Sequence, residues 1–361
     1  MKNQENTLIG QHAYPAISLL VPTHPAYPKF KLDRKHMVDL VKNAENQLSD
    51  RFSKHLTHEL VGKLNETVNA IDFTSLSHGL AVYVSQHHSK VVHLPFEVEE
   101  KVIVDDSFEV RDLQMAAQMH REYLLVLISK NAVRTAVGNG ISLVPVKYKD
   151  MPADIQDVTN SHSLPGWDYL DTEAYDEKNT RNYLRFIDDV LTNAVKGNEL
   201  PVIIMGDNKM LGIYRSGTSL GDRIVGYIEG NFEHATVPQI HDRVMPVLKK
   251  MDDESEAKAF NVLSGALSKG DFCGGIVEVW RAAVEGRGRL LLVESSYQQK
   301  ASMGDDLATL VVGQEPAHGY RKVADAVDDV IEKVIEKGGK VQFVEDGRLT
   351  DYDRIALVTR F

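Results

Sequence analysis

YLLVLISKNAVRTAVGNG, Tyr123 to Gly140, is the stretch on which the fold turns. Tyr123 to Ile128 is an unbroken apolar run of strand length, and Ala132 to Val137 is a second strand candidate. The turn Gly138-Asn139-Gly140 then leads into a third, Ile141 to Val146, so the three make a meander. Next comes Asp150 to Tyr175, which has no sustained periodicity; a structureless loop of that length inside a compact domain is either functional or mobile. After it Leu184, Ile187, Leu191 and Ala194 recur on one helical face, Gly197 stops the helix, and Pro201 to Met205 reads as a strand.

Upstream, the apolar run Ile17 to Val21 ends at Pro22, and Met37, Leu40, Val41, Ala44 and Leu48 recur at helical spacing. A second helix spans Ser53 to Ala70, and Gly79 to Val84, Lys90 to Leu94 and Lys101 to Val104 read as short strands. Downstream, a long helical region beyond Pro238 carries Val244, Val247, Leu248 and Met251. Then come a helix at Ile276 to Val284, a strand at Leu290 to Val293, a helix at Val323 to Ile335, and strands at Lys340 to Val344 and Ile355 to Thr359. On the helix at Val323 to Ile335, the stripe Val323, Val327, Val330, Ile331 and Val334 is expected to meet the core. Asp325, Asp328, Asp329, Glu332, Lys333 and Glu336 are expected to face water. The alternation defines an α/β fold, without internal repeats.

A length of 361 residues suits two or three domains, and the pattern changes place them at 1–120, 121–236 and 237–361. The formal net charge of −11 excludes a histone-like coat for nucleic acid, so phosphate contacts must come from local basic patches. One cysteine, Cys273, excludes an intramolecular disulfide and a cysteine-based zinc cluster, and fits a reducing compartment, the cytoplasm by default. No apolar run reaches the roughly 18 residues of a membrane span, and Met1 to Gln11 is too polar for a signal-peptide core.

Several groupings could carry chemistry. His55 and His58 with Glu59 could face a metal, but their order differs from the zincin pattern and a solvated helix face is the better reading. Asp105-Asp106 and Asp305-Asp306 read as loop or helix-start acids rather than magnesium ligands, and Gly217 to Gly221 lacks the Lys-Ser/Thr ending of a P-loop. Gly274-Gly275 opens a helix directly and either meets a phosphate or a base edge with its amides or is a plain tight start. No nucleophile-base grouping can be read from spacing, so no catalytic residue, metal or cofactor is assigned. The long loop carries Asn160, Ser161, His162, Ser163, Leu164, Pro165, Gly166 and Trp167. The helix after it presents Arg181 and Arg185 four apart. His162 and Trp167 could stack on bases while the arginines neutralise phosphates; an ordinary surface loop beside a solvated helix is the alternative.

Taken in order, ISLLVPT (Ile17 to Thr23), GLAVYVS (Gly79 to Ser85), VDDSFEVRDL (Val104 to Leu113), YLLVLISKNAVRTAVGNG and GGKVQFVEDGRL (Gly338 to Leu349) resemble successive segments of the archaeo-eukaryotic peptide-chain release factor and Pelota family, in its bacterial branch. The resemblance implies three domains in a tRNA-like arrangement, the last similar to the kink-turn-binding ribosomal-protein fold that includes Gly274-Gly275 and LLLVESS (Leu290 to Ser296). Release factors of this family hydrolyse peptidyl-tRNA through a Gly-Gly-Gln loop, which would fall within Asp150 to Tyr175; no Gly-Gly-Gln occurs in the chain. The Asn-Ile-Lys-Ser motif of stop-codon reading is absent too, and Phe30 to His36 reads FKLDRKH in its place. What the resemblance then implies is a hibernation-type factor in the A site of the 70S ribosome, touching 16S and 23S rRNA and ribosomal proteins. Lys29, Lys31, Arg34, Arg181 and Arg185 would serve as basic contacts, and elongation factor Tu as partner. The rival is a rescue factor that hydrolyses peptidyl-tRNA with a non-standard loop. No membrane or DNA partner is expected.

Overall fold

The computed structural model describes residues 8, 14–24, 30–73, 76–119, 121–139, 142–159, 172–198, 200–313 and 320–361; at 30–31, 159 and 172–175 it describes backbone only. The chain forms two compact units, one made of 1–118 with 256–361 and one of 119–255. The first and last segments of the chain therefore share a unit, whereas the sequence suggests a separate domain for each.

The N-terminal part runs β1 (Ala16–Pro22), α1 (Phe30–Arg51), α2 (Lys54–Asn69), β2 (Gly79–Val84), β3 (Ser89–Leu94), β4 (Lys101–Asp105) and α3 (Arg111–Met119). Its four strands form an antiparallel sheet in the order β3-β2-β1-β4, with Leu19 opposite Val82 and Val102. Successive side chains of a strand alternate between faces. Ile17, Leu19 and Val21 thus meet Met37, Leu40, Ala44, Leu60 and Leu64 of the two helices, while Ala16, Leu20, Ala81 and Tyr83 enter a second core with Leu113 and Ala116 of α3. Burial on both faces is why β1 and β2 are apolar without interruption. Ser53 caps α2 by accepting from the Leu56 amide. The sequence gives no sign of α3, because its first-turn Arg111 and Asp112 are buried polar residues that interrupt any apolar stripe.

The middle part runs β5 (Tyr123–Ile128), β6 (Val133–Gly138), β7 (Leu143–Pro145), α4 (Ile155–Thr159), α5 (Thr172–Ala194), β8 (Val202–Gly206), α6 (Asn208–Gly217) and β9 (Ile224–Glu229), and leads into α7 (Val237–Leu267). The sheet order is β7-β6-β5-β8-β9; β5, β6 and β7 are the expected meander, and β8 and β9 add parallel strands. Helices α5 and α6 cover one face through Tyr183, Leu184, Ile187, Leu191, Met210 and Tyr214. Ile240 and Val244 of α7 cover the other. Gly197, at φ +86°, stops α5 as its sequence position suggests. Asp150 to Tyr175 is not loop throughout, since α4 lies inside it and α5 begins at Thr172. Asp154 caps α4 by accepting from the Gln156 and Asp157 amides, and one and a half turns are too short to show a period.

The C-terminal part runs β10 (Phe272–Gly274), α8 (Ile276–Val284), β11 (Gly288–Glu294), β12 (Ala301–Met303), β13 (Leu310–Val312), β14 (Arg321–Val323), α9 (Ala326–Glu336), β15 (Lys340–Val344) and β16 (Ile355–Thr359). The main sheet has the order β10-β16-β11-β15, with β11 and β15 parallel, and β13-β12-β14 form a small sheet of their own. Helices α8 and α9 lie against one face of the main sheet, and Ala259, Leu263 and Ala266 of α7 against the other. The expected helix from Val323 begins later: Val323 ends β14, and Asp325 is the N-cap of α9.

Three acids of α9 expected to face water are instead buried: Asp325, Asp328 and Glu332 are 7%, 3% and 3% exposed. Asp328 explains the departure. Its Oδ1 accepts from the amides of Val110 (2.8 Å) and Arg111 (2.5 Å), which supplies the cap that α3 lacks locally. At the other end of α3, the Gln118 side chain donates to the Phe343 carbonyl (2.9 Å) and accepts from its amide (2.8 Å). Nearby, Asp325 accepts from the Gln299 and Val327 amides, the Glu109 amide donates to Ser18 Oγ, and Arg111 donates to the Tyr297 carbonyl and the Asp112 carboxylate. Lys101 Nζ stands 3.9 Å from the Glu109 carboxylate. Burial, and then the charge of Asp325, push the Glu109 carboxyl up from 4.5 to about 8; burial, and then the charge of Glu109, raise Asp328 well above the usual carboxylate range.

Two outcomes follow from this cluster. A carboxyl raised in the folded state favours folding fully only below its unfolded value, and that contribution is lost as pH rises through the folded value. Urea midpoints should therefore fall between about pH 4.5 and about pH 8 in the parent protein, and Glu109→Gln should flatten the fall, its advantage growing with pH. Asp328→Ala leaves two buried amides unpaired and should cost about 3 kcal/mol. Asp328→Asn, which keeps the acceptor oxygen, should cost less than half as much in the same denaturation assay.

Candidate functional site

Two surfaces assemble from residues that the sequence reading does not connect. The first lies after β1, where Asp33 in the first turn of α1 is 1% exposed and faces back toward the chain entering the helix. Its Oδ2 accepts from the His24 amide and its Oδ1 meets His24 Nδ1, both at 2.8 Å. One buried carboxylate thus fixes both the backbone and the ring of a histidine whose side chain is 46% exposed. With Nδ1–H donating to the carboxylate, Nε2 is left as an acceptor directed away from that bond. Arg34 and Lys35, the next two residues of α1, are exposed.

The second surface belongs to the sheet of the middle part. Lys130, in the turn between β5 and β6, accepts from the Ile155 amide with its carbonyl (3.0 Å) and pairs through Nζ with both carboxylate oxygens of Asp176 (2.9 and 2.7 Å). It therefore holds α4 and the start of α5, the two flanks of residues 160–171. The hydrogen bond from Lys130 holds the Asp176 carboxyl below its usual value. Further along α5, Asp188 accepts from Tyr214 Oη (2.8 Å), Thr218 Oγ1 (2.6 Å) and both the amide (2.8 Å) and Oγ (2.6 Å) of Ser219. Burial pushes its carboxyl up, but the bonds from Ser219, Thr218 and Tyr214 outweigh that and leave it below its usual value. These contacts shape a groove of about 460 Å³ on α5 and α6, with Arg181 and Arg185 at its lining. Both arginines are exposed; Arg181 is paired with Glu177 at 2.5 Å.

Arg34 is exposed on α1; Lys31 lies in α1 with only its backbone described, and Lys29 lies outside the described residues, as do Asn160, Ser161, His162, Ser163, Pro165, Gly166 and Trp167. Gly274 ends β10 and Gly275, at φ +75°, starts α8. The Gly275 amide donates to the carbonyls of Tyr352 and Ile355, and a Cβ there would lie 3.3 Å from an Asp353 carboxylate oxygen. An amide already bonded, beside a carboxylate, builds a tight helix start rather than a cradle for phosphate. His55, His58 and Glu59 sit exposed on α2, and among the described residues no group of three potential ligands could hold a metal ion. Asp106 pairs with Arg321, and Asp306 accepts from the Thr309 amide and hydroxyl. The His24–Asp33 bond and the Asp188 network escape sequence reading; the only hint was an acid in the first turn of a helix nine residues after a histidine.

A sheet with parallel strands β5, β8 and β9 and an antiparallel meander, with α5 and α6 on one face, defines an α/β module that presents an arginine-lined groove. Residues 122–287 match the family model described as bacterial archaeo-eukaryotic release factor family 3. Over this segment, which is less than half of the chain, the sequence is similar to the bacterial archaeo-eukaryotic release factors. Solved structures similar to it include a ribosome-bound archaeal Pelota with ABCE1 (13% identity, 76% of this chain and 72% of that one, TM-score 0.42). Others are Archaeoglobus fulgidus Pelota (14%, 78% and 79%, 0.32) and Saccharomyces cerevisiae Dom34 (12%, 77% and 73%, 0.37). No curated protein matches the chain. No helix among the described residues is long and apolar enough to cross a membrane.

Cys273, on β10, is buried, and burial pushes its thiol up to about 11. At pH 8 that leaves roughly one thiolate in a thousand. Iodoacetamide at pH 8 should leave the folded protein unlabelled over an hour and label it once in 8 M urea; rapid labelling of the native state would contradict this environment.

Proposed function

We propose that this protein is a ribosome-binding factor that occupies the A site and silences translation, without reading codons and without hydrolysing peptidyl-tRNA. The observation that carries the reading is a pair of facts about one segment. Residues 122–287 match a release-factor family, yet the chain between β7 and α5, where the family's reactive loop would fall, contains no Gly-Gly-Gln. Water attack on an ester at the peptidyl transferase centre needs a backbone that approaches closely and an amide that orients the water; Gly-Gly-Gln supplies both. A chain that keeps the frame and lacks that tip can fill the site and cannot run the reaction. The segment from Asn160 to Trp167 would face the peptidyl transferase centre, and the N-terminal sheet with Arg34 the decoding side. The motifs of the sequence resemble those of the hibernation factor Balon, which favours this role, and elongation factor Tu is the delivery partner that the resemblance implies. Such work is cytoplasmic.

The net charge of −11 supports specific rather than indiscriminate RNA binding: the overall field repels phosphate, so only a surface of matching shape with a few cations holds. Arg181 and Arg185 are such cations. Purified protein should pellet with vacant 70S ribosomes and be displaced by A-site tRNA. Arg181→Glu with Arg185→Glu should weaken pelleting about tenfold and reduce the salt dependence of binding by about two counterions. Added to ribosomes carrying a labelled nascent peptide, the protein should release none. Peptide release that disappears with His162→Ala would replace this reading with a rescue hydrolase.

A further inference from the structure

We infer that His24, held by Asp33, is an RNA-binding residue whose Nε2 accepts a hydrogen bond from a ribose 2′-hydroxyl, so that the N-terminal surface takes RNA in preference to DNA. The inference deepens the ribosome-binding reading and rests on it for the source of the RNA, but its own chemistry can be tested apart.

Three observations meet at this residue. Asp33 is almost fully buried and spends both carboxylate oxygens on one partner, the amide and the Nδ1 of His24. A carboxylate used only to close the turn would need just the amide; the second bond fixes the ring's tautomer and its direction. The ring so fixed is 46% exposed, and among the described residues its Nε2 has no partner. Holding the ring in place before binding removes the rotamer entropy that an exposed side chain loses on contact, which is how a single acceptor becomes useful at a surface. Arg34 and Lys35 follow Asp33 on the exposed side of the same helical turn. Cations beside a fixed acceptor match the chemistry of an RNA backbone, in which a phosphate and a hydroxyl donor recur in every nucleotide; DNA offers the phosphate alone. The cations alone would bind both polymers. The acceptor is what separates them.

Asp33 acts here as a positioning residue, and the histidine as the contact. The experiment separates the two bonds of the ring. His24→Asn keeps a side-chain N–H at the place of Nδ1, able to donate to Asp33, and deletes Nε2. The full chain and this variant are titrated with a single-stranded RNA oligonucleotide and with DNA of the same sequence. The RNA is expected to bind about three- to tenfold more tightly to the parent protein, and His24→Asn to remove that preference while its thermal midpoint is unchanged. In the parent protein, long-range 1H–15N spectra should show His24 as the Nδ1–H tautomer, its Nε2 resonance moving on RNA addition. Asp33→Asn should lose that tautomer preference together with the RNA preference. Equal affinity of the parent for RNA and DNA, or an RNA preference retained by His24→Asn, would overturn the inference. Failure of the parent protein to pellet with ribosomes while it still prefers RNA would sink the functional reading and leave His24 standing. Pelleting without any RNA preference would do the reverse.

Discussion

The bond from Asp328 to the amides of Val110 and Arg111 is the constraint on which the larger unit depends. A helix of nine residues such as α3 is marginal by itself, and its first amides have no local cap. A carboxylate reaching from α9 satisfies two of them at once, and Gln118 fastens the far end to β15. Because α3 contributes Leu113 and Ala116 to the same core as the inner faces of the N-terminal sheet and of α8 and α9, the two ends of the chain become one body. The cost is electrostatic. Glu109, Asp112, Asp325 and Asp328 are buried near the cations Arg111 and Lys101, and burial, then the mutual repulsion of the acids, raises the Glu109 and Asp328 carboxyls.

The same device recurs at smaller scale. Asp33, Asp188 and Asp328 are all almost fully buried, and each gathers two to four donors from a neighbouring segment. A carboxylate accepts several short, charge-assisted bonds, so a single residue can fix a loop that would otherwise sample many conformations. Asp188 fixes the turn after α6 and with it the groove beside Arg181 and Arg185. Asp33 fixes His24. In each case one buried acid fixes the position of a neighbouring segment.

This arrangement also accounts for part of the acidic surplus. Some of the carboxylates that make the chain net negative are interior acceptors, while Arg34, Lys35, Arg181 and Arg185 stand exposed. Net charge therefore understates how basic a local surface can be.

Much of the architecture could be read from residues alone. The runs at Ile17, Gly79, Tyr123, Val202, Lys340 and Ile355 are strands, and the helical stripes around Leu40, Leu60, Leu184 and Val279 are helices, because burying apolar side chains on one face imposes a period that survives in the sequence. The lack of Gly-Gly-Gln, on which the functional reading turns, is a sequence fact as well. What only the tertiary structure decided is where polar side chains went. Asp328 occupies a position on α9 that would face water on a lone helix, and it is buried because α3, more than 200 residues earlier, brings its bare amides against it. His24 and Asp33 look unrelated until a helix start folds back on the turn before it. Apolar burial is a property of each element and leaves a local pattern; a hydrogen bond between elements depends on where both are placed, and no local pattern records it.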